Sequence, residues 1–219
     1  MTFWCPKTGW RVSFERQHTM SHPPRLGVFG GSFDPPHIAH IALAKHAVDQ
    51  FGLNELRIIP TGDAWHKDHT LTASPHRLAM ARLAFEGMAQ VAVDEREINR
   101  AGATYTYDTL LELKTEHPDD ELFLFIGADQ AHAFKTWHRW QDILKLATLV
   151  VAQRGGAPQW HNAVSPDVQR LDMPRLKVSA TDIRAHYAQH TVAQPPFSNW
   201  LPVSVQHYIE QHSLYRLNR

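Results

Sequence analysis

The sequence predicts an α/β fold built on a doubly wound, mostly parallel sheet, and two patterns support this prediction. Short apolar runs of strand length alternate with longer stretches in which apolar residues recur at helical spacing. The first run, Arg25 to Phe29, leads through Gly30 and Gly31 into such a helical stretch. Strands that alternate with helices are joined by crossover connections, so neighbouring strands run parallel and helices cover both faces of the sheet.

The predicted elements follow this alternation along the chain. The first helix is predicted by apolar residues at helical spacing from Ile38 to Phe51, and Gly52 ends it. The later strands are predicted at Glu55–Pro60, Val91–Asp94, Leu122–Ile126, Leu149–Ala152 and Val168–Met173. The later helices are predicted at Ser74–Met88, from Thr104 to Glu116, around Trp137 and Trp140, from Val178 onward, and at Pro202–His212, the last on the surface.

Length and composition indicate one globular domain. The chain has 219 residues, of which 43% are hydrophobic and 20% are charged, values ordinary for a protein with a substantial core. We expect a single domain over residues 25–219. Residues 1–24 combine turn-like segments with aromatic residues at no clear period, so we expect a flexible N-terminal extension, with Met20 as an alternative start.

Charge and cysteine content limit the partners and the compartment. Lys and Arg together number 22, as do Asp and Glu, so no overall field attracts nucleic acid. No apolar run approaches the length of a membrane span, and the first 24 residues lack the apolar centre of a signal peptide. The single Cys5 excludes an internal disulfide, which fits a reducing cytoplasm. We therefore expect a cytoplasmic protein that binds neither nucleic acid nor membrane; no feature of the sequence predicts its oligomeric state.

The junction between the first strand and the first helix predicts a phosphate site. At the carboxyl edge of a parallel sheet, a glycine turn and a helix amino terminus leave backbone N–H groups facing one crevice. His37 and His40 lie three residues apart, so they share one face of the first helical turn and point into that crevice. Pro35 and Pro36 suit a helix start, where a missing N–H costs nothing. Neither the lysine of a P-loop nor the dinucleotide-binding glycine spacing is present.

The residues alone leave two other interpretations of this histidine pair open. The chain contains 16 His, so the two rings could simply cap the helix or lie half-buried. Asp34, His37 and His40 could also ligate a metal ion, although no further ligand cluster with recognisable spacing accompanies them. The glycine turn before the pair favours phosphate.

A second anion site is predicted near residue 180. Ser179 is a favourable N-cap residue with Asp182 at the third helical position, and Arg184 follows one turn later. A capped helix amino terminus beside an arginine can hold the phosphates of a nucleoside triphosphate. A capping box with a surface arginine would show the same pattern.

Both stretches resemble signatures of the nucleotidyltransferase superfamily. Gly31 to His40 resembles the pattern glycine, small residue, Phe, Asp, Pro, any, His, any, Gly, His, with Ala39 in place of the last glycine. Val178 to Arg184 resembles Ile, Ser, Ser, Thr, any, Ile, Arg, with Ala180 in place of the second serine. Further segments resemble those of the nicotinate-nucleotide adenylyltransferases, in the same order: Thr104–Thr106, Gly127–Asp129, Thr136–Trp137 and Ser213–Arg216. Over residues 25–217 the chain is similar to that family, which implies a Rossmann-like nucleotidyltransferase fold.

The resemblance implies adenylyl transfer from ATP to nicotinate mononucleotide, which yields deamido-NAD and pyrophosphate in NAD biosynthesis. It implies catalytic roles for His37, His40 and Arg184. The residues that it implies for binding ATP and its phosphates are Gly30, Gly31, Ser32, Phe33, Lys67, Ser179 and Thr181. The residues that it implies for binding nicotinate mononucleotide are Thr104, Tyr105, Thr106, Asp129 for a ribose hydroxyl and Trp137 for the pyridine ring. Mg²⁺ would be bound mainly through the ATP phosphates, without a protein metal site.

Two alternative functions stay open. Gly62-Asp63-Ala64 resembles a loop of nicotinamide mononucleotide adenylyltransferases, so the amide could be the substrate. A nonenzymatic nucleotide sensor could share the fold, but it would be expected to lack an intact histidine pair or Arg184. The loop Thr61–Ala73, which contains Lys67, is polar, aromatic and basic, as either a mobile substrate flap or an ordinary solvated loop would be.

Overall fold

One parallel sheet forms the centre of the fold in a computed structural model, which describes residues 22–62, 71–154, 167–174, 176–189 and 199–216. Its strands are β1 Arg25–Gly31, β2 Glu55–Pro60, β3 Val91–Val93, β4 Glu121–Gly127, β5 Thr148–Arg154 and β6 Gln169–Met173. All neighbouring strands are parallel, in the order β3-β2-β1-β4-β5-β6. The chain therefore moves outward from β1 in one direction and from β4 in the other, which places the change of direction between these two strands.

Helices cover both faces of the sheet, which confirms the doubly wound prediction. They are α1 Ile38–Phe51, α2 Ser74–Phe85, α3 Arg96–Asn99, α4 Thr106–Glu116, α5 Ala128–Ala133, α6 Trp140–Leu146, α7 Ala180–Gln189 and α8 Val203–Gln211, with a 3₁₀ turn at Phe134–Thr136. Buried side chains of α1, α2, α7 and α8 pack on one face, and those of α4, α5 and α6 on the other. Within the described residues, no helix has the length and apolar content of a membrane span.

Strand β4 shows why the strands appear in the sequence as continuous apolar runs. Leu122, Leu124 and Ile126 are buried on the face that α4, α5 and α6 cover, whereas Phe123 and Phe125 are buried on the opposite face. A strand covered by helices on both sides buries every one of its side chains. The apolar run therefore loses the alternation that a half-exposed strand would show.

One predicted helix boundary is wrong, and the local backbone explains it. Helix α2 ends at Phe85 rather than Met88, because Glu86 leaves the helical conformation with ψ at 135° and Gly87 has φ at +80°. Helix α1 spans Ile38–Phe51 as predicted, but Pro35 and Pro36 precede its N-cap residue instead of forming its first turn. His37 is the N-cap residue of α1 and has an extended backbone, with φ at −142° and ψ at 174°.

Trp137 and Trp140 were expected on one helical stretch, but the chain turns between them. Trp137 is extended, with ψ at 146°, and Arg139 has a left-handed backbone, with φ at +55°. Helix α6 therefore begins only at Trp140. Helices α3 and α5 were not predicted, since four and six residues are too few to show a helical period.

The closing helix α8 lies at the surface with one buried face, as the sequence predicts. It buries Val205 and Ile209 while Val203 is exposed. The hydroxyl of Tyr208 lies 3.0 Å from Nδ1 of His76, which ties α8 to α2.

Residues 1–21 lie outside the described part of the chain, so the N-terminal extension stays a prediction. A protein that starts at Met20 should match the full chain in activity and in melting temperature. The first 19 residues show no period that would dock them on the sheet, and termini that are not tied down contribute little. Thermal melts and initial rates of the two proteins test this: a loss of about 4 °C or more, corresponding to about 1 kcal/mol or more, would assign the extension to the core.

Candidate functional site

The candidate site lies at the carboxyl edge of the sheet, where the strand order changes direction between β1 and β4. In open α/β sheets, this crevice between the diverging connections is where ligands bind. Strand β1 ends at Gly31 and leads through residues 32–37 into α1, and strand β4 ends at Gly127 and leads directly into α5. The first predicted phosphate segment and the Gly127–Asp129 turn therefore lie at the same edge.

The turn after β1 is held in an unfavourable backbone conformation by aromatic packing. Phe33 has φ at +47°, in the left-handed region that a bulky residue rarely adopts. Its ring is 1% exposed and makes edge-to-face contacts with Phe29, Phe85 and His40, with centroid distances of 5.5, 6.0 and 5.2 Å. Within the described residues, the backbone N–H groups of Ser32 and Phe33 donate no hydrogen bond. The packing thus fixes a turn whose N–H groups can donate hydrogen bonds to an anion.

The histidine pair is both a helix cap and a pair of stacked rings. His37 is 5% exposed and His40 is half-buried, and their ring centroids lie 3.8 Å apart at an interplanar angle of 19°. The backbone N–H of His37 donates to Nδ1 of His40 over 3.1 Å. A nitrogen that accepts a hydrogen bond carries no proton, so the neutral His40 ring is protonated at Nε2. The capping interpretation and the phosphate interpretation are therefore compatible, since Nε2–H is a hydrogen-bond donor.

Part of the α1 amino terminus is already used, contrary to the expectation that its N–H groups face the crevice unpaired. The N–H of His37 is bonded to His40, and the N–H of Ile38 donates to the backbone oxygen of Trp200 over 3.0 Å. These two donors cannot also bind phosphate. The anion-binding capacity of this segment therefore lies in the Gly30–Phe33 turn and in the two imidazole side chains.

Asp34 is a structural centre of the site, which argues against the metal interpretation. Its side chain is 1% exposed; Oδ1 accepts from the Tyr215 hydroxyl over 2.7 Å and Oδ2 accepts from the backbone N–H of Thr72 over 3.1 Å. Burial and the Asp34 carboxylate raise the pKa of Tyr215, which stays a donor. Across the described ranges, no group of three or more His, Cys, Asp or Glu residues could hold a metal ion.

The second motif is placed at the start of α7, and it meets the first. Ser179 Oγ accepts from the backbone N–H of Asp182 over 3.1 Å, which confirms Ser179 as the N-cap residue. Arg184 Nη1 donates to the backbone oxygen of Asp34 over 2.8 Å, although the two residues are 150 positions apart. Arg184 Nη2 also lies 3.4 Å from Thr181 Oγ1. The structure therefore brings both predicted anion segments together.

The hydroxyl of Ser179 is fully engaged within its own cap. It donates its single proton to the Asp182 carboxylate over 2.7 Å while accepting from the Asp182 N–H. In this conformation it has no proton to donate to a phosphate oxygen. Ser179 thus supports the site by capping α7, rather than through a direct hydroxyl contact.

The predicted mononucleotide residues gather at the amino terminus of α4. Tyr105 is the N-cap residue, Thr106 begins the helix, and the Tyr105 ring packs on the ring of His138 at a centroid distance of 4.4 Å. Trp137, next to His138, is half-buried against Phe134, with 5.3 Å between ring centroids. The segment of Trp137 and His138 therefore lies against the start of α4.

Two other predicted residues, Thr104 and Asp129, have different surroundings. Thr104 lies beside the buried carboxyl of Glu97, which accepts from Thr109 Oγ1 over 2.8 Å. Burial raises the pKa of Glu97. Asp129 is exposed in the first turn of α5. Lys67 lies outside the described residues, so its part in the site stays a prediction.

A groove of about 930 Å³ at the opposite, amino-terminal edge of the strands is less suited to anions. Its Arg25 is ion-paired with Glu121 at 3.2 Å, and its Lys145 with Asp142 at 2.8 Å. The candidate site at the carboxyl edge is therefore preferred.

The fold and the two motifs together define a nucleotidyltransferase-type domain, and comparison with known proteins agrees. A family model described as cytidylyltransferase-like matches residues 28–186. A probable nicotinate-nucleotide adenylyltransferase of Albidiferax ferrireducens is 50% identical over 199 residues, covering 88% of this chain and 98% of the relative. One of Methylibium petroleiphilum is 42% identical over 195 residues, covering 87% and 92%. The chain belongs to the cytidylyltransferase-like family and, within it, to the nicotinate-nucleotide adenylyltransferases, which confirms the resemblance found in its motifs.

A solved structure supports the fold independently. The nicotinic acid mononucleotide adenylyltransferase of Plasmodium falciparum, complexed with APC, superposes with a TM-score of 0.75, covering 89% of this chain and 98% of that one. Its sequence identity is 18%, so this likeness is one of architecture.

Proposed function

We propose that this chain transfers the adenylyl group of ATP to nicotinate mononucleotide, releasing pyrophosphate and deamido-NAD as a step of NAD biosynthesis. The observation that carries the proposal is the junction of the two motifs, where Arg184 Nη1 lies 2.8 Å from the backbone oxygen of Asp34, three residues before His37. Two cationic or donor-rich segments that meet at one edge can hold a polyphosphate along its length. The names of the relatives support the same reaction.

The reaction requires positioning more than proton transfer. A phosphate oxygen of the mononucleotide forms a bond to the α-phosphorus of ATP. The bond from that phosphorus to the α,β-bridging oxygen breaks, and this oxygen leaves as part of pyrophosphate. The nucleophile is already an anion at neutral pH, so catalysis reduces to in-line alignment and stabilisation of charge. His37 and His40 bind the reacting phosphates, and Arg184 with Thr181 and the capped start of α7 holds the leaving pyrophosphate. Gly30 to Phe33 supplies backbone donors.

Mg²⁺ enters this proposal as part of the MgATP substrate. Both carboxylate oxygens of Asp34, the acidic residue of the histidine motif, are hydrogen-bonded within the protein. Phosphate oxygens and water suffice as Mg²⁺ ligands. The residues fit an ion that arrives with the nucleotide.

The cytoplasmic location, which the sequence suggested through the single Cys5, also stays a prediction.

Nicotinate should be preferred to nicotinamide by at least about tenfold in kcat/KM. Tyr105 provides no side-chain cap for α4, so the first N–H groups of this helix favour an anion over a neutral amide. Charge-assisted hydrogen bonds contribute about 1.5–3 kcal/mol, against about 1 kcal/mol for neutral ones, and the amide NH₂ would also face N–H donors. Pyrophosphate release from ATP with each mononucleotide measures the preference.

The same assay separates the alternatives. Equal rates, or faster turnover of the amide, would make the chain a nicotinamide mononucleotide adenylyltransferase, and ATP binding without pyrophosphate release would make it a sensor. Trp137→Ala serves as the control, because stacking does not distinguish the two rings and both substrates should weaken alike. Gly62, which favoured the amide branch, has a packing reason of its own, since a side chain there would collide with the backbone oxygen of Glu97.

A further inference from the structure

Arg77 is a buried cation that connects three segments of the site edge. It lies in α2, outside every motif, and is 2% exposed. Its Nε donates to the backbone oxygen of Thr72 over 2.8 Å, its Nη1 to that of Ser32 over 3.0 Å, and its Nη2 to that of Gly62 over 3.1 Å. Ser32 belongs to the phosphate turn, whereas Gly62 and Thr72 lie on either side of residues 63–70.

The three bonds match the geometry of a guanidinium. Arginine presents its donors in a rigid planar fork, so acceptors on three separate segments are held in fixed relation to one another. A lysine ammonium keeps the charge but offers donors on a flexible stem without the fork. The arrangement therefore requires arginine in particular, rather than any positive charge.

The bond to Ser32 determines where the next N–H group points. In a planar trans peptide, the carbonyl oxygen and the following N–H point in opposite directions. With the Ser32 oxygen directed inward to Arg77, the Phe33 N–H must be directed away from it. A reversed peptide would instead present a carbonyl oxygen, which repels phosphate. Phe33, whose N–H belongs to this peptide, is the residue with the positive φ described above.

We propose that Arg77 is a positioning residue for ATP, which orients the Ser32–Phe33 peptide so that its N–H binds a phosphate oxygen. The inference rests on the proposed function, because it assigns the phosphates of ATP to this turn. Arg77 itself is buried behind the turn and acts through the backbone.

The test compares Arg77→Lys with the wild type in equilibrium binding of ATP and of nicotinate mononucleotide, each measured alone by calorimetry. Arg77→Lys should weaken ATP binding at least about tenfold, since a misdirected donor loses a charge-assisted bond. The mononucleotide should bind within about twofold of the wild type on the same scale. Equal losses for both ligands, or unchanged ATP binding, would overturn the proposal.

Arg82→Gln is the matched control, because Arg82 lies on the same helix, is 57% exposed and pairs with Glu95 at 2.9 Å. It removes a positive charge and should leave both affinities unchanged. Amide NMR of the wild type provides a test that needs no variant: the Phe33 N–H resonance should shift on adding ATP, and an unmoved resonance refutes the inference. The proposed reaction is tested separately by measuring turnover of the wild type. ATP binding can be measured whether or not the protein catalyses adenylyl transfer, so the two proposals can fail independently.

Discussion

His40→Ala should lower kcat by about 10²–10³-fold while the protein stays folded. The neutral ring is protonated at Nε2, because Nδ1 accepts from the His37 N–H, so the substitution removes the donor that we propose binds the reacting phosphates. Loss of one preorganised donor to developing charge costs about 2.7–4 kcal/mol in comparable sites. The lost cap destabilises α1 by about 0.5–2 kcal/mol, which leaves a foldable protein. Steady-state kinetics and a thermal melt measure the two effects separately.

His46→Ala is the control for this prediction. His46 lies on the same helix and is half-buried, but it stands almost two turns beyond His40 and away from the amino terminus. Its loss should leave kcat within about twofold, since surface and half-buried changes outside special features cost little. If His40→Ala retains near wild-type turnover, the phosphate role of the pair is wrong and His40 is a capping residue alone.

The elements of this fold could be predicted because burial on both sides leaves a strong local signal. Leu122 to Ile126 form a continuous apolar run for that reason, and the helices between strands show their own period. The strand order could not be predicted, because it depends on which distant segments pair. Arg25, for instance, lies in register with Glu121, 96 residues later. The end of α2 was missed because Met88 continues the apolar spacing beyond Gly87, although Gly87 marks the end of this helix as Gly52 marks that of α1.

The site residues could be predicted where they depend on local contacts, and could not where they depend on distant ones. The histidine pair and the capped start of α7 lie in contiguous segments, so their spacing is visible in the sequence. Tyr215 donates a hydrogen bond to Asp34 from 181 residues away. Arg77 is buried, although its residue type alone would predict a surface position. Nothing in a single sequence marks such a residue as buried. Only the folded chain shows what these side chains hold in place.

Arg184→Ala should lower kcat/KM for ATP by about 10²-fold or more. In the proposed role, Arg184 donates two charge-assisted hydrogen bonds to the leaving pyrophosphate, worth roughly 1.5–3 kcal/mol each, and the substitution removes them together with the positive charge. Arg184 also donates to the backbone oxygen of Asp34, so about 1 kcal/mol of folding stability should disappear as well. For a chain of this length, that corresponds to a fall of about 2–4 °C in melting temperature.

Two further variants separate the charge of Arg184 from its position. Arg184→Lys keeps the charge without the planar fork, so its loss in kcat/KM should be smaller than that of Arg184→Ala yet clearly measurable. Arg170→Ala removes a positive charge from the exposed edge strand β6, where Arg170 pairs with Asp172, and should leave the kinetics unchanged. Equal kcat/KM values for ATP in Arg184→Ala and Arg170→Ala would show that the contact with Asp34 is the whole role of Arg184. The pyrophosphate would then have to be held by other donors, with the Gly30–Phe33 turn as the first candidate.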